Sequence, residues 1–265
     1  MDILETITAN TRREVAWQKQ ALPVDALLRL GSPWLAEAPC SMRRALAESE
    51  TGVIAEFKRR SPSKGWLCRD AAIGAVVPAY EAGGASACSV LTDGGFFGGT
   101  LEDLKQARRL RKDFIVDEYQ LYQARTAGAA AVLLIAAVLS PEECRRLART
   151  ARELELEVLL EVHTPAELSH LNGYVDMLGV NNRDLGTFRT DVENSFRMAD
   201  RLRREVGGGE GPLLVSESGI SDPETVVRLR DAGFRGFLMG EAFMKTGDPG
   251  RALAEFIVRL KEARP

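Results

Sequence analysis

The sequence predicts an α/β fold, a (β/α)8 TIM barrel with a short helical N-terminal extension, and three observations predict it. From about position 50 onward, short β-rich runs alternate with longer amphipathic runs, eight of each, the pattern of a parallel α/β protein. The chain has 265 residues, and one such barrel needs about 250. After the first strand run, VIAEF, comes KRRSPSKG rather than the Gly-rich GxGxxG turn of an open doubly wound sheet. Closure into a barrel is therefore favoured.

Residues 1–49 precede the repeat and read as extra helices around MDILETITANTRREVAWQKQ and SMRRALAE. The expected division is a helical extension over 1–49 and a barrel catalytic domain over 50–265. The first strand is expected at 53–57 and its helix near 71–83. The second pair falls at 87–91 and 101–109, and the third at 111–116 and 118–127. The fourth strand, 131–135, reads AVLLI, apolar throughout as where both faces are buried; its helix is 141–153. Strands at 157–162, 177–180, 213–217 and 236–240 complete the set, with helices near 165–171, 191–205, 222–232 and 248–263. Ser140-Pro141-Glu142-Glu143 and Ser221-Asp222-Pro223-Glu224 each place a cap, a proline and acids at a first turn. Thr164 with Glu167 three residues later has the spacing of a capping box.

Composition narrows the function classes. The chain is 45% hydrophobic and 28% charged, ordinary for a globular enzyme, and its net charge of -3 argues against a nucleic-acid binder. The N-terminus is charged and amphipathic rather than a signal peptide, and AAAVLLIAAVL is too short to span a membrane. Cys40, Cys68, Cys88 and Cys144 lie apart with no CxxC pair, and His163 and His170 are the only histidines. A Cys/His zinc site has little to draw on, and the cysteines read as reduced packing thiols of a cytoplasmic protein. No metal or cofactor is expected, nor a nucleic-acid or membrane partner. A monomer or weak homo-oligomer acting on a small phosphorylated molecule is.

Barrel enzymes carry their chemistry at the C-terminal ends of the strands. Those positions supply Glu56 and Lys58 after strand one, Lys112 in strand three, Glu161 in strand five, Asn181 and Arg183 after strand six, and Glu217 and Ser218 at strand seven. A charge within an apolar strand is costly to bury unless paired or used. One such residue reads equally as a structural ion pair, but lysines and glutamates converging on one rim point to acid–base chemistry. The last two strands end in ESGIS and MGEAF, where Gly219 and Gly240 would admit backbone N–H groups to a phosphate. As turn glycines they need no ligand; together they suggest one. Ser61, in the RRSPSK loop, would close that site from the other side. Phe96 and Phe97, Phe114 two residues beyond Lys112, and Phe188 are either core residues or a slot for a flat ring.

At these residues a family comes into view. VIAEFKRRSPSKG, SVLTDGGFFGG, RKDFIVDEYQ, VLLEVH, GVNNRDLGTF, VSESGIS and LMGEAFMK, in that order, resemble the signature segments of indole-3-glycerol-phosphate synthases from about position 50 to the end. The resemblance implies the substrate 1-(2-carboxyphenylamino)-1-deoxyribulose 5-phosphate and the products indole-3-glycerol phosphate, CO2 and water, with no cofactor. It implies that Lys112 is the general acid at the ribulose carbonyl. Lys58, partnered by Glu56, would hold the carboxylate, and Glu161 would be the acid–base group of ring closure and dehydration. Asn181 and Ser218 would position hydroxyls and the ring nitrogen, and Glu217 would hold the lysines in register. Ser61, Gly219, Gly240 and the Glu241 amide match the phosphate cradle, with Phe97, Phe114, Arg183 and Phe188 as further substrate contacts.

One departure stands out. KQARRL leads directly into RKDF, so about half a dozen residues of an apolar strand-three run are missing. Either the preceding helix unwinds, with Leu110 taking an inward position, or the barrel is defective there. The expectation is an irregular connection over residues 105–111, with room for Lys112 to be displaced from Glu161. Three other readings stand beside the family. Another phosphate-binding barrel, such as phosphoribosylanthranilate isomerase, would want a strand-one cysteine that is absent. A Schiff-base aldolase would use Lys112. A non-catalytic barrel would only bind.

Overall fold

The computed structural model describes all residues except 1–2, 32–34, 37, 108–109, 185, 206–210 and 264–265. The helices Ile3–Ala21, Val24–Leu30 and Met42–Glu48 precede β1 (Val53–Phe57). A small antiparallel ribbon, β2 (Arg60–Ser61) and β3 (Gly65–Trp66), comes next. The remaining strands are β4 (Ala87–Val90), β5 (Leu110–Arg111), β6 (Ala131–Ile135), β7 (Glu157–Val162), β8 (Met177–Asn181), β9 (Leu213–Glu217) and β10 (Gly236–Met239). They close with β1 into one parallel barrel in the order β1-β10-β9-β8-β7-β6-β5-β4. Helices lie between them, from Ile73–Ala82 and Leu101–Ala107 through Glu118–Thr126, Pro141–Glu153, Glu193–Glu205 and Pro223–Asp231 to Pro249–Glu262. The TIM-barrel expectation is met.

Strand period 2 sorts the side chains into two layers. Ile54, Leu110, Ala131, Leu133, Ile135, Leu159, Met177, Val215 and Leu238 point inward and form one buried cluster, closed below by Met42 and Leu46 of the Met42–Glu48 helix. That helix is pinned by β7: Ser41 Oγ and the Arg43 N–H both donate to the Glu157 carboxylate, at 2.5 and 2.8 Å. Their alternates, including Val53, Phe57, Val132, Leu134, Val158 and Leu160, pack outward against the surrounding helices. The long Ile3–Ala21 helix docks on Glu118–Thr126 through Lys19 to Asp117, Gln123 to Gln18, and the Tyr119 hydroxyl to the Leu22 carbonyl.

The capping signals divide. Ser140 and Glu143 form a reciprocal capping box, and Asp222 caps its helix ahead of Pro223 at the first turn. Thr164 makes no side-chain cap bond, and the segment after it is a 3-10 turn, Pro165–His170. The Glu167 carboxylate instead takes the backbone N–H of His163, at 2.6 Å.

Strand three differs from the 111–116 expectation. It holds two residues, Leu110 and Arg111, which pair with Ser89 and Val90 of β4 on one side and with Ala131 and Val132 of β6 on the other. The Lys112 N–H donates to the Val90 carbonyl at 2.9 Å, which carries the pairing one residue further. Leu110 takes the inward position, 1% exposed. The expected helix over 101–109 is observed to Ala107, and 108–109 lie outside the described residues. A polar, buried network surrounds the end of this strand. Arg111 Nε donates to Asp113 at 2.8 Å and its Nη1 to the Gln120 carbonyl at 2.6 Å, while Asp113 accepts from the Thr92 N–H and hydroxyl. This network fastens the residues after the strand to β4 and to the next helix, so Lys112 is not displaced.

Candidate active site

Counted around the barrel, β1, β5, β7 and β9 are alternate strands, and each sends one charged side chain inward at the same height. These are Glu56, Lys112, Glu161 and Glu217, one layer of four as alternate barrel strands produce. Lys112 Nζ lies 3.1 Å from Glu161 Oε2 and 3.2 Å from Glu217 Oε2. Lys58, just past β1, is ion-paired with Glu56. Asn181, at the end of β8, donates to Glu161 Oε1 at 3.1 Å and accepts the Arg183 N–H at 3.0 Å.

Above this layer opens a cavity of about 330 Å³. Its walls hold Glu56, Lys58, Ser61, Phe97, Lys112, Phe114, Glu161, Asn181, Arg183, Phe188, Ser218, Gly219, Gly240 and Glu241, all anticipated from the sequence. Glu217 is the exception. It belongs to the same layer but does not line the cavity: it is 1% exposed and in contact with Lys112. The Phe97 and Phe114 rings stack with centroids 6.3 Å apart. Phe188 and Ser218 hold left-handed backbone (φ 58° and 67°), a strained state for non-glycine residues that clusters at functional sites. Arg183 bridges the mouth, donating to Ser63 Oγ at 2.9 Å and to Glu241 Oε2 at 3.1 Å. Gly240 needs its bare Cα for a reason the sequence did not show: a Cβ there would strike the Glu56 side chain.

Electrostatics divides the carboxylates. Burial opposes ionisation of Glu56, but Lys58 and Lys112 outweigh it and hold the group below the ordinary range. Burial opposes Glu161 as well, and Lys112 with His163 pulls it down. Glu217 moves the other way: burial raises it, the Glu161 charge adds to that, and its share of Lys112 does not compensate. Neither of its oxygens has a hydrogen-bond partner meeting normal geometry among the described residues, so only the ion-pair contact with Lys112 serves it. Lys112 is penalised by burial, yet Glu161, Glu217 and Glu56 together raise it above an ordinary lysine. An ammonium held this firmly donates hydrogen bonds; it is not the free amine that a Schiff-base aldolase requires. Two neighbouring carboxyls with opposed proton affinities provide an acid and a base in one site.

Some wall residues went unread. Ile3, Leu4 and Ile7 of the first helix roof the cavity, and Leu133, Ile135, Thr190 and Lys245 line it. The helix was legible as amphipathic, but nothing local says which surface its apolar stripe covers. His163 stands behind Glu161, with Nε2 3.5 Å from Glu161 Oε1. Only its place two residues along VLLEVH from Glu161 hinted at that.

Comparison with known proteins agrees with this geometry. The family model for indole-3-glycerol phosphate synthase matches residues 4–256. A protein of that name from Bacteroides thetaiotaomicron is 57% identical over 268 aligned positions, covering 98% of this chain and 99% of its own. Namesakes from Salinibacter ruber and Polaromonas naphthalenivorans are 43% and 42% identical, each over 96% of this chain and over 94% and 98% of their own. Among solved structures, a mutant tryptophan synthase α-subunit from Pyrococcus furiosus superposes with a TM-score of 0.59 at 16% identity, over 80% of this chain and 98% of that one. That likeness speaks for the barrel alone. With a family model spanning nearly its whole length and relatives this similar, the chain belongs to the indole-3-glycerol phosphate synthase family, carboxy-lyases of tryptophan biosynthesis.

Proposed function

We propose that this chain converts 1-(2-carboxyphenylamino)-1-deoxyribulose 5-phosphate into indole-3-glycerol phosphate, CO2 and water by Lys/Glu acid–base catalysis, as a cytoplasmic enzyme. The observation that carries the reading is Lys112, buried between Glu161 and Glu217 under a cavity walled by stacked phenylalanines and closed by Arg183.

In this reading the phosphate lies at the Ser61, Gly219 and Gly240 side of the mouth, where Arg183 and backbone N–H groups meet it. The aromatic ring takes the Phe97–Phe114 slot, and Lys58 holds the carboxylate. The ring carbon bearing that carboxylate attacks the ribulose carbonyl carbon, and Lys112 protonates the carbonyl oxygen as the bond forms. The C–CO2 bond then breaks, and its electron pair returns to the ring to restore aromaticity. The new hydroxyl leaves as water after a second protonation, while Glu161 takes a proton from the carbon next to nitrogen. That closes the double bond of the indole. The sum is one proton taken up, with one CO2 and one water released. Asn181 and Ser218 orient the hydroxyls and nitrogen, and Glu56 and Glu217 hold the two lysines in register.

Fluorescence of indole-3-glycerol phosphate tests this directly. The purified chain should form it from the substrate, and Lys112→Ala should lose about 10²–10⁴-fold in kcat, the usual worth of one positioned proton donor. No product from the unaltered chain would overturn the reading. A near-normal kcat in the variant would remove Lys112 from the mechanism.

A further inference from the structure

His163 comes directly after the last residue of β7 and is fixed from both sides by its backbone. Its N–H donates to Glu167 Oε2 at 2.6 Å, and its carbonyl accepts from Asn194 Nδ2 at 3.1 Å. The ring is enclosed, 13% exposed, with Nε2 3.5 Å from Glu161 Oε1 and Nδ1 3.5 Å from Glu167 Oε2. Neither ring nitrogen has another polar partner among the described residues. The result is a row of alternating sign, Lys112–Glu161–His163–Glu167, in which Glu161 stands between two basic groups. We propose that His163, oriented by Glu167, is a positioning residue that acts through Glu161. As an imidazolium it keeps that carboxylate ionised and held for its proton transfer, and its loss of a proton sets the alkaline limit of turnover.

This rests on the acid–base role given above to Glu161. Glu161 shares Lys112 with Glu217, and His163 places a second basic group 3.5 Å from it. The groups that face its ring are acids from four elements: Glu161 on β7, Glu167 on the 3-10 turn, Glu217 on β9, and Asp184 in the loop after β8. Lys112, directly after β5, stands beyond Glu161 and opposes them. Burial disfavours the charged ring, but Glu167, Glu161 and Glu217 outweigh it. The imidazolium therefore persists above the ordinary histidine value of about 6.5. Lys112 titrates far above that region, and Glu217, also raised, would give a limb that stays in place in Glu167→Gln.

The test joins kinetics to a direct titration. The chain has two histidines, so the His163 ring signals are identified by NMR from the spectrum of His163→Gln. In the unaltered enzyme the ring titration midpoint should coincide with the alkaline limb of kcat. Glu167→Gln, which leaves Glu161 and its contacts in place, should move both to lower pH by about 1 unit, the effect of losing one adjacent opposite charge. His163→Gln should lower kcat roughly tenfold near neutrality with little change in KM, and should abolish that limb. A purely structural histidine would lower kcat at all pH values without moving the limb. An alkaline limb that stays at the same pH in both variants overturns the proposal. Failure of the underlying reading looks different, because the unaltered chain would then form no indole-3-glycerol phosphate.

Discussion

Arg183 meets at the mouth two partners that a phosphate would have to share or replace. Its Nη2 is held by Glu241, with the two side chains 20% and 33% exposed, and its Nη1 by Ser63. A carboxylate in that place repels an incoming phosphate dianion and occupies its counter-ion. Glu241→Gln should therefore lower KM for the phosphorylated substrate and strengthen inhibition by inorganic phosphate. The change should be about threefold, because part-exposed pairs are worth no more than about 1 kcal/mol. A KM that rises would show the carboxylate itself binding substrate. At this scale the sequence was informative where chemistry is conspicuous. Charged residues ending apolar strands pointed to Glu56, Lys112 and Glu161 because burial of charge is costly. It could not show that Glu217 is covered and does not line the cavity, or that Gly240 yields its space to Glu56, since both depend on how neighbouring strands are staggered.

A buried ion pair follows directly at the C-terminal end of the short strand β5. Arg111 is 5% exposed and Asp113 likewise 5%, each buried against the other and bonded to groups on neighbouring elements. Removing one partner of such a pair strands the other charge in the interior, which typically costs 3–5 kcal/mol. Asp113→Ala should lose about that much in urea denaturation and loosen Lys112 one residue away, so kcat should fall as well. Stability within about 1 kcal/mol of the unaltered chain would show that the ladder alone suffices. Strands of four to six residues were legible because an apolar run marks each of them. This one was not, since RLRKDF offers a single inward apolar residue, Leu110, before chemistry begins. The Thr164 signal misled for a local reason: the Thr164 side chain makes no cap bond, and Glu167 is drawn back to the His163 N–H.

Across the whole molecule, the catalytic layer makes stability depend on pH in both directions. Glu56 and Glu161 are ionised more readily folded than unfolded. Their stabilisation is present above the ordinary glutamate value of about 4.3 and is lost as pH falls through their lower folded values. Glu217 is raised, so the folded state retains a proton that the unfolded chain has released; stability falls as pH climbs from about 4.3 toward its folded value. His163, also raised, stabilises below about 6.5 and loses that contribution as pH passes its folded value. The melting temperature should therefore peak on the acid side of neutrality, and Glu217→Gln should flatten the decline above the peak. A melting temperature that rises steadily from pH 5 to 9 would contradict the assignment. The barrel as a whole was legible from repeat number and length. How the first helix joins it was not, because its docking partner lies about 100 residues away in the chain, as Lys19 and Asp117 show (|i−j| 98).

That first helix has a consequence for how the enzyme comes into being on the ribosome. Ile3, Leu4 and Ile7 roof the cavity, and the helix carrying them is anchored to Glu118–Thr126. Roof and anchor are both synthesised before β6, while the opposite wall, with Gly219 and Gly240, is among the last parts made. The roof and its anchor are thus made before the vessel they cover. Closure waits for β10 to reach β1, and only then does the roof stand above a complete floor.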